Sequence, residues 1–133
     1  MTEPRDDVLA RWYAAIKAGD AAALAQAATP DVRIRWNGPR AAIPWAGEWV
    51  GVAGALEFFG LVAQHLTVRR IATVQRIDGP QSCAMVLEGD WEVRRTGEAL
   101  SLRAANVFAF RDGKVAAYDV YPDSAAFAAA LAR

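Results

Sequence analysis

The spacing of apolar residues changes period near Thr67. Upstream of it, they recur mostly at the three- and four-residue intervals of amphipathic helices. Downstream, the turn signals Asp78-Gly79-Pro80, Thr96-Gly97 and Asp112-Gly113 divide the chain into four runs of hairpin-compatible length. Helices first and a four-strand meander after specify an α+β domain, with the helices packed on one face of a curved antiparallel sheet. The 133 residues read as one domain over 1–133, without linkers, repeats or low-complexity tracts. A chain of that length buries roughly two thirds of its unfolded surface, so it needs no metal or disulfide staple.

Local signals place the remaining elements. Asp6 and Asp7 are suited to cap a first helix with Val8, Leu9, Trp12, Tyr13 and Ile16 on one face. Gly19 ends that helix, Asp20 caps a second, Ala-rich one, and Pro30-Asp31 breaks it. Residues 32–36 alternate strictly and read as a strand, with Arg33 and Arg35 on one face and Ile34 and Trp36 on the other. Residues 37–51, with two prolines and three glycines, read as a loop carrying Trp45 and Trp49. A third helix fits residues 52–66, with Ala55, Leu56, Phe59, Val62 or Ala63, and Leu66 inward. A short last helix begins near Asp123-Ser124 and carries Phe127 and Leu131.

Charge and composition exclude several function classes. Fifteen basic residues balance fifteen acidic ones, and so balanced a chain has no basic surplus for nucleic acid or an anionic membrane. The single cysteine, Cys83, forms no internal disulfide and reads as a small core residue. Residues 1–7 are polar and acidic, unlike a signal peptide, and no apolar run approaches the ~18 residues of a membrane span. The expectation is a soluble, cytoplasmic protein. Abundant alanine, and arginine in place of lysine everywhere but Lys17 and Lys114, points to a GC-rich bacterial source. No metal-ligand spacing and no phosphate loop is present, so no cofactor is expected. His65, the lone histidine, is of the type that serves as a general base near neutral pH, but it closes the third helix, where a cation suits the helix dipole, and reads as a surface or capping residue.

Two downstream strands declare their faces. Met85, Leu87, Gly89, Trp91 and Val93 form the inner face of one. Leu100, Leu102, Ala104, Asn106, Phe108 and Phe110 form that of the next. Asn106 is thus a polar side chain in the middle of an apolar face. Because an unpartnered buried amide costs about 1–3 kcal/mol, Asn106 either bonds to a neighbour or faces a cavity. Gly89, in mid-strand, marks a bend or a close approach to a ligand.

Taken in order, several segments resemble the nuclear transport factor 2-like superfamily, which includes ketosteroid isomerase, limonene epoxide hydrolase and the SnoaL-like polyketide cyclases. They begin with Trp12-Tyr13-Ala14-Ala15-Ile16-Lys17-Ala18-Gly19-Asp20, then Pro30-Asp31-Val32 and Trp45-Ala46-Gly47-Glu48-Trp49-Val50-Gly51 leading into Phe58-Phe59. Thr96-Gly97, Phe110-Arg111-Asp112-Gly113-Lys114-Val115 and Tyr121-Pro122-Asp123 complete the set. The resemblance implies a cystatin-like cone or α+β barrel. In it a curved sheet wraps around helices, a deep apolar pocket lies between them, and the chain often forms a homodimer. The outer sheet residues Ala105, Val107 and Ala109 are compatible with such a pairing.

Carried over by position, the familiar catalytic groups are missing. The base of ketosteroid isomerase falls on Trp36, its tyrosine on Trp12, and its second acid on Asn106, a neutral amide. The Asp-Arg-Asp set of limonene epoxide hydrolase falls on Leu87, Gly89 and Val120. A one-residue slip would instead turn Glu88, Asp90 and Asp119 inward, as costly buried charges.

Trp12, Trp36 and Trp91 reach inner faces by independent periodicities, either filling the cone or walling a pocket for a flat, apolar or aromatic ligand, with a cationic ligand held by cation–π contact as the lesser variant. The resemblance turns Tyr118 inward together with Val120. The expected site therefore has Asn106 and Tyr118 as hydrogen-bond donors to an enolate, in an oxyanion role. Trp12, Trp36, Leu87, Trp91, Phe108 and Val120 would hold a small hydrophobic or polycyclic substrate. The expected activity is isomerisation or cyclisation without an Asp base; the alternative is a non-catalytic binding module on the same fold.

Overall fold

The computed structural model describes residues 4–133, so the polar residues 1–3 of the chain's start lie outside the described residues. The elements run α1 (Arg5–Ala18), α2 (Ala21–Ala27), β1 (Ala28–Trp36), β2 (Gly47–Val50), α3 (Gly51–His65) and β3 (Leu66–Asp78). They continue with β4 (Ser82–Val93), β5 (Ala99–Arg111), β6 (Lys114–Pro122) and α4 (Ser124–Leu131). The four downstream strands form the expected meander, and the turn at Asp112-Gly113 uses a positive φ at both residues, 55° and 73°.

One sheet of six strands results, in the order β2-β1-β6-β5-β4-β3. It is mixed where a purely antiparallel sheet was expected, because β1 lies parallel to β6. The whole of β2 to β5 separates those two strands in sequence, so no tight turn dictates their direction. The sheet also stays unclosed, with β2 and β3 at opposite edges, and so forms a curved wall instead of a complete barrel.

Local signals decide most boundaries, with three departures. Gly19, at φ 64°, ends α1, and the Asp20 carboxylate caps α2 by accepting from the Ala23 amide at 3.1 Å. The first departure is at α1, which begins at Arg5. Asp6 and Asp7 therefore sit in its first turn, where they favour the positive end of the helix dipole instead of capping it. The second is at α2, which ends before Pro30-Asp31. That pair lies inside β1, in the irregular stretch between Ala28 and Arg33 of the β1–β6 pairing, where a missing proline N–H costs no ladder bond.

The third departure is β2, in the segment expected to be a loop. It pairs antiparallel with β1, Ile34 opposite Trp49, and buries both tryptophans of the segment. The Trp49 indole N–H donates to the Trp45 carbonyl at 3.0 Å, which ties the strand to the turn before it. Four residues are too few to show a period in a Gly- and Pro-rich stretch.

The β4 and β5 faces are as the alternation predicts: Met85, Leu87, Trp91 and Val93 are buried, as are Asn106 and Phe108. Gly89 serves a close approach, but of a side chain. A Cβ there would sit 2.5 Å from the Trp91 ring, so the bare backbone lets that indole lie along its own strand. Glu88, Asp90 and Asp119 all face outward: Glu88 meets Arg103 at 3.1 Å, Asp90 meets Arg70 at 2.9 Å, and Asp119 faces Arg35 at 4.0 Å. The register is therefore the one that keeps these carboxylates out of the core. No helix among the described residues is long and apolar enough to cross a membrane.

Candidate functional site

Because β3 to β6 curve around the helices, the layers do not close completely. A cavity of about 550 Å³ remains between the concave sheet face and α1, α3 and α4. That volume falls in the range of small-molecule sites. Its mouth lies at the edge strand β3, where Val68 and Ile71 belong to the inner face yet are about half exposed. Register shifts between Val68 and Arg70 and between Thr73 and Gln75 bracket this segment. Such bulges bend a strand and increase its twist, which bows the edge around the opening.

The wall is mostly aromatic and aliphatic. Trp36, Leu87, Trp91 and Val120, four of the expected substrate contacts, line it together with Asn106 and Tyr118. The other two expected contacts do not. Trp12 and Phe108 are fully enclosed and stand behind the wall, packed edge to face at 6.2 Å. Their periodicity correctly turned them inward, but the layer of Phe59 and Tyr118 comes between them and the open space. Trp45 and Phe127 take wall positions that the sequence reading did not assign; they cross at 6.1 Å, nearly perpendicular. His65 sits outside this wall and rests its ring against Trp45 at 5.8 Å. Cys83 is buried, and burial pushes its thiol pKa up, which suits a core residue and not a nucleophile.

Polar chemistry concentrates at one place. Asn106 on β5 stands opposite Val120 on β6, and Tyr118 is its diagonal neighbour, two residues along. The Asn106 amide nitrogen donates to the Tyr118 hydroxyl at 3.0 Å. Asn106 thus both bonds to a neighbour and faces the cavity. Its amide also reaches Tyr13 on α1, a wall residue absent from the expected set. Burial pushes the Tyr13 phenol up to about 12, with the hydrogen bond from Asn106 pulling it partly back. Tyr118, enclosed by Trp12, Phe59 and Phe108, is raised further, by burial first and then by Tyr13. Both phenols therefore stay protonated at neutral pH and act as hydrogen-bond donors, not as bases. With the Asn106 amide N–H directed at the Tyr118 oxygen, that hydroxyl's own hydrogen is left for an acceptor in the cavity.

This arrangement has a pH signature. An unfolded tyrosine ionises near pH 10, whereas these two hold their protons to higher pH. The stability they contribute is complete below about pH 10 and is lost as pH rises through the raised folded values. Urea midpoints measured between pH 9 and 12 should fall, and the fall should be shallower in Tyr118→Phe. An identical slope in that variant would contradict the assignment.

The fold and cavity define a class: an α+β cone with a mostly apolar cavity and a donor cluster on its wall. The model of the SnoaL-like domain matches residues 9–118, and the chain belongs to that family. The fold is shared with a candidate isomerase from Rhodopseudomonas palustris, at 22% identity and a TM-score of 0.81 over 100% of both chains. A nuclear transport factor 2-like protein from Burkholderia xenovorans matches at 19% identity and 0.82, covering 98% of each chain. TerC, co-crystallised with polyporic acid, matches at 23% identity and 0.78, over 98% of this chain and 100% of its own. At these identities the likeness establishes the fold alone. No curated protein matches the sequence.

Proposed function

We propose that this chain binds a small hydrophobic or polycyclic carbonyl compound in the cavity and promotes its isomerisation or cyclisation. The observation that carries the proposal is the buried Asn106–Tyr118 pair, at 3.0 Å, set in a mostly apolar wall. A carbonyl oxygen placed there would receive the Tyr118 hydrogen bond, and that bond strengthens as the oxygen gains enolate charge. Trp36, Leu87, Trp91 and Val120 would hold the flat body of the substrate, with Trp12 and Phe108 supporting them from behind. Among the described residues, no Asp, Glu or His lines this wall. Rate acceleration would then come from orientation, exclusion of water and donor placement. The same lack of a carboxylate base favours a second reading, a binding module that holds the molecule without turning it over. The co-crystallisation of TerC with polyporic acid supports small-molecule binding on this fold.

A thermal-shift screen of aromatic ketones, epoxides and polyketides tests the pocket directly. A true occupant raises the melting temperature by several degrees, since ligand at a hundred times its Kd adds about 2.7 kcal/mol. Ala104→Trp, which fills the cavity, and Ile71→Trp, which plugs its mouth, should each abolish the shift. A shift that survives both variants places the binding elsewhere. The proposal includes a cytoplasmic homodimer joined through the outer sheet face, where Ala105 and Val107 lie beside exposed Tyr121. Gel filtration at the mass of one 14.3 kDa chain would contradict the pairing.

A further inference from the structure

Among the described residues, the cavity wall carries one full charge. Tyr13, Ile16 and Lys17 of α1 all contribute to it, and Tyr13 and Lys17, four residues apart, share one stripe of the helix. Lys17 is exposed and lines the cavity at the same time, which puts its side chain at the mouth. Among the described residues, no arginine, aspartate, glutamate or histidine joins it on the wall.

The lysine is also unengaged. Elsewhere on this protein cations are mostly paired: Arg70 with Asp90, Arg76 with Asp78, Arg103 with Glu88 and Arg133 with Glu98. Lys17 has neither an ion pair nor a hydrogen bond among the described residues. A wall rich in aromatic faces, taken alone, suits an organic cation as well as a neutral ring. An ammonium at the entrance, with no carboxylate to offset it, decides against the cation, since like charges repel in a partly desolvated site.

We propose that the occupant of this cavity is an aromatic or polycyclic acid, with its ring system inside and its carboxylate at the mouth on Lys17. This deepens, and rests on, the pocket reading above. The geometry lets the apolar body leave water while the anion keeps part of its hydration, so the ligand avoids the cost of full carboxylate burial. The donor cluster of Tyr13, Asn106 and Tyr118 then remains free for a second oxygen on the ring system.

The test uses two probes of nearly equal size, 2-naphthoic acid and its methyl ester, titrated by tryptophan fluorescence at pH 7.5 and low salt. The acid should bind the wild-type chain roughly three- to tenfold more tightly than the ester. Lys17→Met should erase that preference, Lys17→Arg should keep it, and added salt should shrink it. Lys17 is on the surface, so these variants leave the core intact. Equal affinities in the wild type, or a preference that survives Lys17→Met, would overturn the assignment of the acid while leaving the pocket in place. Binding of neither probe, or binding of both unchanged in Ile71→Trp, would overturn the pocket reading and this inference together.

Discussion

Trp12→Ala lowers the stability of the fold by about 3–5 kcal/mol, whereas Trp12→Phe retains most of it. The indole is fully enclosed and lies against Phe59 at 6.0 Å, Phe108 at 6.2 Å and Tyr118 at 5.7 Å. Truncation to alanine removes all three ring contacts and leaves a void that the neighbouring rings cannot close. Phenylalanine keeps a ring in the same place. It also removes an N–H that is buried without a partner, a group whose burial costs about 1–3 kcal/mol. Urea denaturation with a shared slope measures both changes. A Trp12→Ala cost below about 1 kcal/mol, or a Trp12→Phe cost equal to it, would show that the indole is not a packing element. The comparison bears on function too, because the family resemblance puts Trp12 at the position of the ketosteroid isomerase tyrosine. Here that position supports the wall from behind.

The second large effect is on turnover. If the chain is an isomerase or cyclase, Tyr118→Phe lowers kcat by about 10²–10³ while KM changes only a few-fold, because the lost bond is strongest to the developing oxyanion. Asn106→Ala acts through Tyr118. It frees the phenol to turn away from the cavity, so kcat falls again and the two variants combined lose little more than either alone. In the binding module, each substitution instead weakens the Kd by less than tenfold, the value of an ordinary hydrogen bond. The split between kcat and KM on a substrate found by screening separates these outcomes. Unchanged turnover in both single variants would remove the oxyanion role altogether. Tyr118→Phe also leaves the Asn106 amide short of an acceptor, so its melting temperature is measured alongside.

Particular residues show how far the chain could be read in advance. The alternation on β4 and β5 placed Leu87, Trp91 and Asn106 inward, because a period of two is local and needs no knowledge of neighbours. The same reasoning kept Glu88 and Asp90 outside. The short strand β2 was invisible, since Gly47–Val50 gives no period of its own and exists only through its pairing with β1. Tyr13 was assigned to a buried helical face but not to the site. Its signal was present in the stripe Tyr13, Ile16, Lys17, which follows helical spacing on one flank of α1.

The change of period at Thr67 and the three turns after it determined an α+β domain, since helical and strand periodicities cannot exchange without exposing the apolar face. The family resemblance, carried over position by position, implied that no carboxylate occupies the positions of the familiar catalytic groups. Only the tertiary structure decided that β1 runs parallel to β6, that Trp12 and Phe108 stand behind the wall, and that Tyr13, Asn106 and Tyr118 meet. Those outcomes depend on which layer a side chain reaches once the sheet curves. Curvature is set jointly by bulges and packing among elements far apart in the chain, and no local period encodes it.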